Sequence, residues 1–258
     1  MATYTTEITS DKLISDNPIH QRLFKAYIVA QDFVSGNLLE IGCGEGRGIH
    51  VLGPLVKHYH GIDKIGEILD RLKDKFPEFT FEQANIPPLN SLDDNSFDSL
   101  VSFQVIEHIE DDKKYLEEIY RVLKPGGKAL ISTPNIRFSL TRNPWHIREY
   151  TPLQLKNLCV SIFDKVECRG IGGNAKVWDY YAANKQSVKK ITRWDLLNLQ
   201  YRLPAVFLKI PYEILNRVNR NKLHQKEGKA VEEIRHQDYL MVDDPENALD
   251  LFYILHKK

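Results

Sequence analysis

The chain has 258 residues, of which 42% are hydrophobic and 27% charged, and this composition predicts a globular protein with one sizeable core. Equal numbers of basic and acidic residues give a formal net charge of zero. That balance argues against a general nucleic-acid-binding protein, which would need a basic surface. The three cysteines are widely spaced, so we expect neither a Cys-x-x-Cys zinc site nor a disulfide framework. Residues 1–10 lack the basic and apolar regions of a secretion signal, and no apolar stretch is long enough to cross a bilayer. We therefore expect a cytoplasmic protein without a transmembrane segment.

Short apolar segments alternate with helical ones along most of the chain. The predicted strands are Leu38–Gly42, Tyr59–Asp63, Phe79–Glu82, Asp98–Phe103, Lys128–Ser132, Lys165–Arg169 and Leu249–Leu255. The clearest predicted helix spans Asp111–Leu123, where Leu116 and Ile119 fall on one face and the charged residues elsewhere. Alternation of strands and helices predicts an α/β fold with a mostly parallel sheet of seven strands, covered by helices on both faces.

The pattern divides the chain into four parts. We predict an N-terminal helical segment at residues 1–36, an α/β core at 37–170, a helical insertion at 171–244 and a final core strand within 245–258. From Lys185 to His236, twelve lysines and arginines stand against five acidic residues, an excess of seven positive charges. This basic, partly amphipathic insertion could be a lid over a substrate, a dimer interface, a membrane-surface contact or a plain extension of the core.

A glycine-rich turn follows the first predicted strand, at Gly42-Cys43-Gly44-Glu45-Gly46. Glycine is needed where backbone adopts positive φ or comes close to a ligand, and ligands of α/β folds bind at this end of the sheet. The turn does not match the dinucleotide pattern Gly-x-Gly-x-x-Gly, because Arg47 stands where the third glycine should be. The Gly-Lys-Ser/Thr of a phosphate-binding P-loop is also absent.

Asp63 ends the second predicted strand, about twenty residues after the glycine turn. A carboxylate at this place can accept hydrogen bonds from both hydroxyls of a ribose. The alternative is that Asp63 caps the helix that follows it. A ligand that carries a ribose but no pyrophosphate would satisfy both the glycine turn and Asp63.

Several segments together resemble the class I S-adenosylmethionine-dependent methyltransferases, in particular type 11/23-like enzymes of bacterial glycan, secondary-metabolite and ubiquinone pathways. The segments that carry the resemblance are Leu39–Gly46, Phe97–Phe103, Val105–His108, Glu118–Gly127 and Ser132–Asn135. The likeness covers about residues 20–169 and the closing strand. It implies a Rossmann-like, doubly wound core at 37–170 that binds S-adenosylmethionine, with an antiparallel last strand after the helical insertion.

The resemblance also implies roles for individual residues. Glu40, Gly42, Cys43 and Gly44 would lie along the methionine part of S-adenosylmethionine, and Asp63 would hold the ribose with Lys64 and Ile65 beside the adenosine. Ala84, Asn85 and Ile86 would border the adenine, and Phe103 and Gln104 the sulfonium and amino-acid end. The family usually has Asp at the position of Asn85, but an amide oxygen can still accept a hydrogen bond from the adenine amino group.

His108 and His146 follow the fourth and fifth predicted strands, at the end of the sheet where the ligand binds. Each could be the general base that removes a proton from the methyl acceptor, or could only hydrogen-bond the scaffold. With Glu107 they also resemble a divalent-metal site of some relatives. Those relatives carry a further Glu where this chain has Gln104, and the loss of one carboxylate weakens a site for a hard cation. We therefore predict no metal, although a divalent ion stays the alternative.

The sequence thus predicts an enzyme that moves a methyl group to an oxygen or nitrogen, less readily a carbon, of a small molecule or a sugar-bearing lipid. S-adenosylhomocysteine would be the product of the cofactor. We expect no nucleic-acid partner, while contact of the insertion with a membrane surface is left open. Two other classes remain: a catalytically silent S-adenosylmethionine-binding protein, and a nicotinamide-dependent oxidoreductase, which the missing third glycine disfavours.

Overall fold

The computed structural model describes residues 13–195 and 197–258. One eight-stranded sheet runs through it, with helices on both faces. The strands are β1 Asn37–Ile41, β2 His58–Asp63, β3 Thr80–Gln83, β4 Phe97–Phe103, β5 Leu123–Pro134, β6 Lys165–Gly173, β7 Tyr239–Val242 and β8 Asp250–His256. The helices are α1 Asn17–Ala30, α2 Ile49–Leu52, α3 Gly66–Lys75, α4 Asp112–Val122, α5 Pro152–Val160, α6 Ala175–Thr192, α7 Leu199–Arg202 and α8 Ala205–Glu233.

The strand order is β3-β2-β1-β4-β5-β8-β6-β7. The first five strands pair in parallel, and β8 is antiparallel to both β5 and β6. The predicted doubly wound α/β fold with an antiparallel last strand is confirmed. The sheet has eight strands rather than the seven expected, because β7 forms a short ladder with β6. Its four residues lie near the end of the predicted insertion and are too few to show an alternation of their own.

Successive residues of the strands point to opposite faces of the sheet and fill two separate cores. Leu38 of β1 packs in the core that α1, α2 and α3 cover, and its neighbour Leu39 in the core under α4 and α5. Both side chains are fully buried. Because the central strands are buried on both faces, their sequences are mostly apolar at successive positions.

Helix α4 shows why the sequence folds as it does locally. The Asp111 carboxylate accepts a hydrogen bond from the backbone N–H of Lys114 at 2.9 Å and so caps the first turn. Leu116 and Ile119 are fully buried against the sheet. The helix brings the chain back so that β5 can pair in parallel with β4, as an α/β crossover requires.

The insertion leaves the sheet after β6 and returns at β7. It consists of α6, α7 and α8, and α8 also packs on the start of the described chain. The buried Asp16 carboxylate forms ion pairs with Arg217 at 3.0 Å and Arg220 at 3.2 Å. The Asn17 amide donates to the backbone oxygens of Val231 and Ile234. Within the described ranges, no helix is both long and apolar enough to span a membrane.

Candidate active site

A cavity of about 530 Å³ opens at the carboxyl ends of the parallel strands. Because β1 lies between β2 and β4 and the chain crosses over to opposite sides of it, this crevice is where α/β sheets bind ligands. Eleven of the twelve predicted cofactor residues line the cavity: Gly42, Cys43, Gly44, Asp63, Lys64, Ile65, Ala84, Asn85, Ile86, Phe103 and Gln104. The remaining one, Glu40, lies behind the wall of the cavity.

The glycine turn has the backbone conformation that its sequence requires. Gly42, Gly44 and Gly46 have φ values of +77°, +49° and +76°, which side-chain-bearing residues rarely adopt. At Gly44 a Cβ atom would meet no other atom within 4 Å. Gly44 therefore leaves open space at the cavity wall, which a ligand can use.

Asp63 fixes both the glycine turn and the residue just before α3, a helix that has no side-chain cap. One carboxylate oxygen accepts the backbone N–H of Gly44 at 2.9 Å, and the other accepts the N–H of Ile65 at 3.0 Å. A carboxylate offers about four lone-pair positions, so about two are left for a ligand. The two roles considered for Asp63 are therefore compatible with one another.

Glu40 is buried and bound to two tyrosines. Its carboxylate accepts hydrogen bonds from the hydroxyls of Tyr27, at 2.7 Å, and Tyr59. Burial raises the pKa of Glu40 to about 7, while the two hydroxyl donors lower it. Tyr27 itself lines the cavity, so Glu40 can influence a ligand by holding Tyr27.

Helix α1 covers one side of this cavity, which sequence analysis did not predict. His20, Leu23, Phe24 and Tyr27 all line it. Their spacing of three and four residues places them on one face of a helix, so the pattern was present in the sequence. Residues 1–36 had been expected to be helical, without a role at the site. Arg47, His50 and Lys75 also line the cavity and were not predicted.

A second cavity of about 270 Å³ adjoins the first. Leu23, Gln104 and His108 line both of them. Gln104 has a φ of +60°, an uncommon conformation outside glycine, and its backbone N–H donates to the oxygen of Ser132 at 2.8 Å. Strained backbone of this kind collects at functional sites. Here this backbone conformation places Gln104 at the junction of the two cavities.

His108 and His146 lie side by side, with ring centroids 5.0 Å apart and the rings nearly perpendicular. His108 Nδ1 is 2.9 Å from the backbone oxygen of Trp145, and because a carbonyl oxygen can only accept, Nδ1 carries the proton of this hydrogen bond. His146 Nδ1 lies 2.6 Å from the Glu149 carboxylate, and its Nε2 lies 2.8 Å from the Asn143 amide nitrogen. Of the two residues, His108 lines both cavities and His146 only the second.

Glu107, His108 and His146 are close enough to be considered as a metal site. One ligand atom from each lies within 4.8 Å of the others. The Glu107 carboxylate accepts from the Thr133 hydroxyl through Oε2, while Oε1 is buried and has no hydrogen-bond partner in the part of the chain that the structure describes. Burial raises the pKa of Glu107 to about 7, which favours its neutral form. Both nitrogens of His146 already have partners, so these three side chains fit a divalent cation only in part.

Polar groups from the insertion and from α1 surround the second cavity. Tyr180, Tyr212 and Asn219 belong to α6 and α8, and Asn219 Oδ1 is buried without a hydrogen-bond partner among the described residues. The two arginines of this cavity are paired: Arg22 with the buried Asp250 at 3.2 Å, and Arg220 with Asp16. The cavity therefore presents hydroxyl and amide groups rather than an unpaired arginine.

Comparison with known proteins assigns a class to this arrangement. Residues 39–131 match the family model described as a methyltransferase domain. This stretch contains the glycine turn, Asp63 and the end of β4, which are the parts of the first cavity that the resemblance had assigned to the cofactor. This segment is a methyltransferase domain, in agreement with the predicted class I S-adenosylmethionine-dependent methyltransferase.

Relatives agree with this class. A "probable S-adenosylmethionine-dependent methyltransferase" of Mycolicibacterium smegmatis is 37% identical over 51% of this chain and 52% of its own length. A similarly described protein of Mycobacterium tuberculosis is 32% identical over 59% of each chain. The chain thus spans between half and two thirds of these relatives. A crystal structure of a Thermotoga maritima methyltransferase shares the fold, with a TM-score of 0.57 and 14% identity over 93% of this chain and 91% of that one.

Proposed function

We propose that the protein transfers a methyl group from S-adenosylmethionine to a hydroxyl or amine of a small polar acceptor, such as a sugar-bearing molecule. The observation that carries this proposal is the junction of the two cavities, where Gln104 and His108 line both. A ligand in the cavity of the methyltransferase domain and an acceptor in the second cavity would meet at these two residues. Holding two reactants in contact supplies much of a transfer reaction's acceleration, up to roughly 7–11 kcal/mol.

The cofactor, when bound, supplies an electrophilic methyl group on a positively charged sulfur. Asp63 would hold its ribose, and Gly44 would leave room for its amino-acid part. Tyr27, Leu23 and Phe24 of α1 close the cavity and keep water away from the reacting atoms. These roles rest on the shape and hydrogen bonds of the first cavity.

His108 is the general base in this proposal. Its Nδ1–H donates to the Trp145 oxygen, so Nε2 is the nitrogen that can take a proton from an acceptor. His146, held by Glu149 and Asn143, is a positioning residue that packs against the His108 ring. No step requires a metal ion in this scheme.

The second cavity favours an uncharged, hydroxyl-rich acceptor. Its arginines are neutralised by buried aspartates, and Asn219 Oδ1 can accept a hydrogen bond from a hydroxyl. A buried acceptor atom without a partner costs about 1–3 kcal/mol, which a sugar hydroxyl would recover.

The cysteines are free thiols, which supports a reducing compartment such as the cytoplasm.

The test is release of S-adenosylhomocysteine from a panel of sugar, phenol and amine acceptors. Once an acceptor is found, His108→Ala should bind S-adenosylhomocysteine as the wild type does but lose about 10²–10⁴-fold in turnover. His224→Ala is the matched control, because this histidine pairs with Glu232 on α8 and lines neither cavity. Normal turnover of His108→Ala would remove the base role, and cofactor binding without any turnover would indicate a silent binding protein.

A further inference from the structure

The insertion exposes large apolar side chains that nothing in the described chain covers. Trp194 is 75% exposed, Ile210 71% and Phe207 68%, and Tyr201, Val206 and Ile214 are exposed as well. We call these six residues the apolar face of the insertion. Single exposed apolar residues are ordinary, but a contiguous group marks a contact surface.

Helix α8 carries four of these six residues, Val206, Phe207, Ile210 and Ile214, on the side opposite the second cavity. Each residue of an α-helix turns by about 100°, so Tyr212, Asn216 and Asn219 share one side. These three residues line the second cavity. Ile210 and Ile214 point about 160° away from Tyr212 by the same count. One helix thus separates the acceptor cavity from an exposed apolar surface.

The exposed charges around the apolar face have one sign, while the two acidic residues near it, Asp195 and Glu213, are partly buried. Among the side chains described between residues 185 and 226, every exposed charged one is basic, including Lys189, Lys190, Arg193 and Arg202. The acidic Asp195 is partly buried, because its carboxylate accepts the backbone N–H groups of Leu199 and Gln200. The chain as a whole is neutral, so this positive charge is local to the insertion.

We propose that the apolar face of the insertion docks on an anionic lipid surface. A basic rim around apolar side chains is complementary to acidic headgroups over acyl chains. A second copy of this chain would instead bring the same positive charges together, which disfavours self-association through this face. Docking would hold the second cavity next to the membrane, where an acceptor with a lipid tail could reach it.

The proposal can be tested by co-sedimentation of the full chain with vesicles, without cofactor or acceptor. The wild type should bind phosphatidylcholine vesicles that contain phosphatidylglycerol and should bind far more weakly to phosphatidylcholine alone. Binding should weaken as salt is added. Because neither methyl transfer nor an acceptor takes part, this result does not depend on the proposed reaction.

The double variant F207S/I210S should lose about tenfold or more in vesicle affinity, because two apolar side chains no longer enter the lipid. The double variant R193A/R202A should lose about tenfold, and only on vesicles with phosphatidylglycerol. The matched control is L153S/V160S, which removes two exposed apolar side chains of α5, 61% and 50% exposed, and should bind as the wild type does. Unchanged S-adenosylhomocysteine affinity shows that each variant is folded.

Two results would overturn the proposal. One is equal vesicle binding by the wild type and F207S/I210S. The other is a dimer in sedimentation velocity that F207S/I210S converts to a monomer, with no binding to either kind of vesicle. That second outcome would assign the apolar face to a copy of the same chain.

Discussion

Replacing Asp63 by Asn tests the ribose role of this carboxylate. The substitution keeps the size of the side chain but removes its charge and turns one acceptor oxygen into a donor NH₂ group. In the wild type the two oxygens already accept the N–H groups of Gly44 and Ile65 at 2.9 and 3.0 Å. In Asp63→Asn only one oxygen is left to serve these two donors and any ribose hydroxyl.

The expected loss follows from the number of bonds at stake. A hydrogen bond to a charged group contributes about 1.5–3 kcal/mol. Removing one of them at the ribose should weaken S-adenosylhomocysteine binding about 10- to 100-fold, since 1.4 kcal/mol corresponds to a factor of ten. Isothermal titration of the wild type and Asp63→Asn with this ligand measures the difference.

A nucleoside analogue without the two ribose hydroxyls separates the two roles of Asp63. If the carboxylate holds the ribose, the wild type should prefer S-adenosylhomocysteine over the analogue, and Asp63→Asn should lose that preference. If Asp63 only supports Gly44 and α3, the variant should bind both ligands more weakly by the same factor. An unchanged preference in Asp63→Asn would therefore refute the ribose role, whatever the absolute affinity.

Three other variants or treatments have definite expected outcomes. Gly44→Val should remove cofactor binding in calorimetry, because a side chain at this position enters the cavity. The protein should still fold, since the positive φ costs a side-chain-bearing residue only about 1–2 kcal/mol. A folded variant with normal affinity would contradict the assignment of the glycine turn. The pKa of Glu107 is raised from 4.5 to about 7 by burial, so the folded state holds an extra proton in this interval and stability falls as pH rises through it. Glu107→Gln should remove that decline, so the free energy of unfolding of this variant relative to the wild type should rise by up to about 3 kcal/mol between pH 4.5 and 8. Denaturant unfolding of both proteins at pH 4.5 and at pH 8 measures this difference. An identical pH dependence of both proteins would be inconsistent with a buried, ionising Glu107. Chelator should leave turnover unchanged, whereas a loss that magnesium or manganese restores would assign a metal to Glu107, His108 and His146.

The core of the fold was predictable because its signals are local. A run of apolar residues, a glycine turn and a carboxylate at a strand end each occupy a few consecutive positions, so β1, the turn after it and Asp63 could be read directly. The ends of the strands were predicted less accurately than the strands themselves. Strand β5 extends from Leu123 to Pro134, well beyond the predicted Lys128–Ser132. Of the added residues, Leu123 pairs with β4, and Thr133 and Pro134 pair with β8, a long-range effect that local pattern does not contain.

Contacts between distant segments account for what the sequence left undecided. Glu40 follows the family's motif, but its carboxylate is turned toward Tyr27 and Tyr59, which belong to other elements. The cover provided by α1 and the pairing of β7 with β6 likewise depend on residues far apart in the chain. The histidine pair could be proposed from two strand ends, whereas the Trp145 oxygen that selects the tautomer of His108 could not.

The pairing of β6 with β7 has a consequence for how this protein could change over time. Four residue pairs, from Gly170 with Val242 to Gly173 with Tyr239, bring the two ends of the insertion together at one edge of the sheet. A segment whose ends meet can be lengthened, shortened or exchanged at little cost to the rest of a fold. None of the residues that line the first cavity belongs to α6, α7 or α8, so exchange of these helices would affect it only through the contacts of α8 with the start of α1. New acceptors could thus be acquired by exchanging this one segment, while the methyltransferase domain at residues 39–131 is kept.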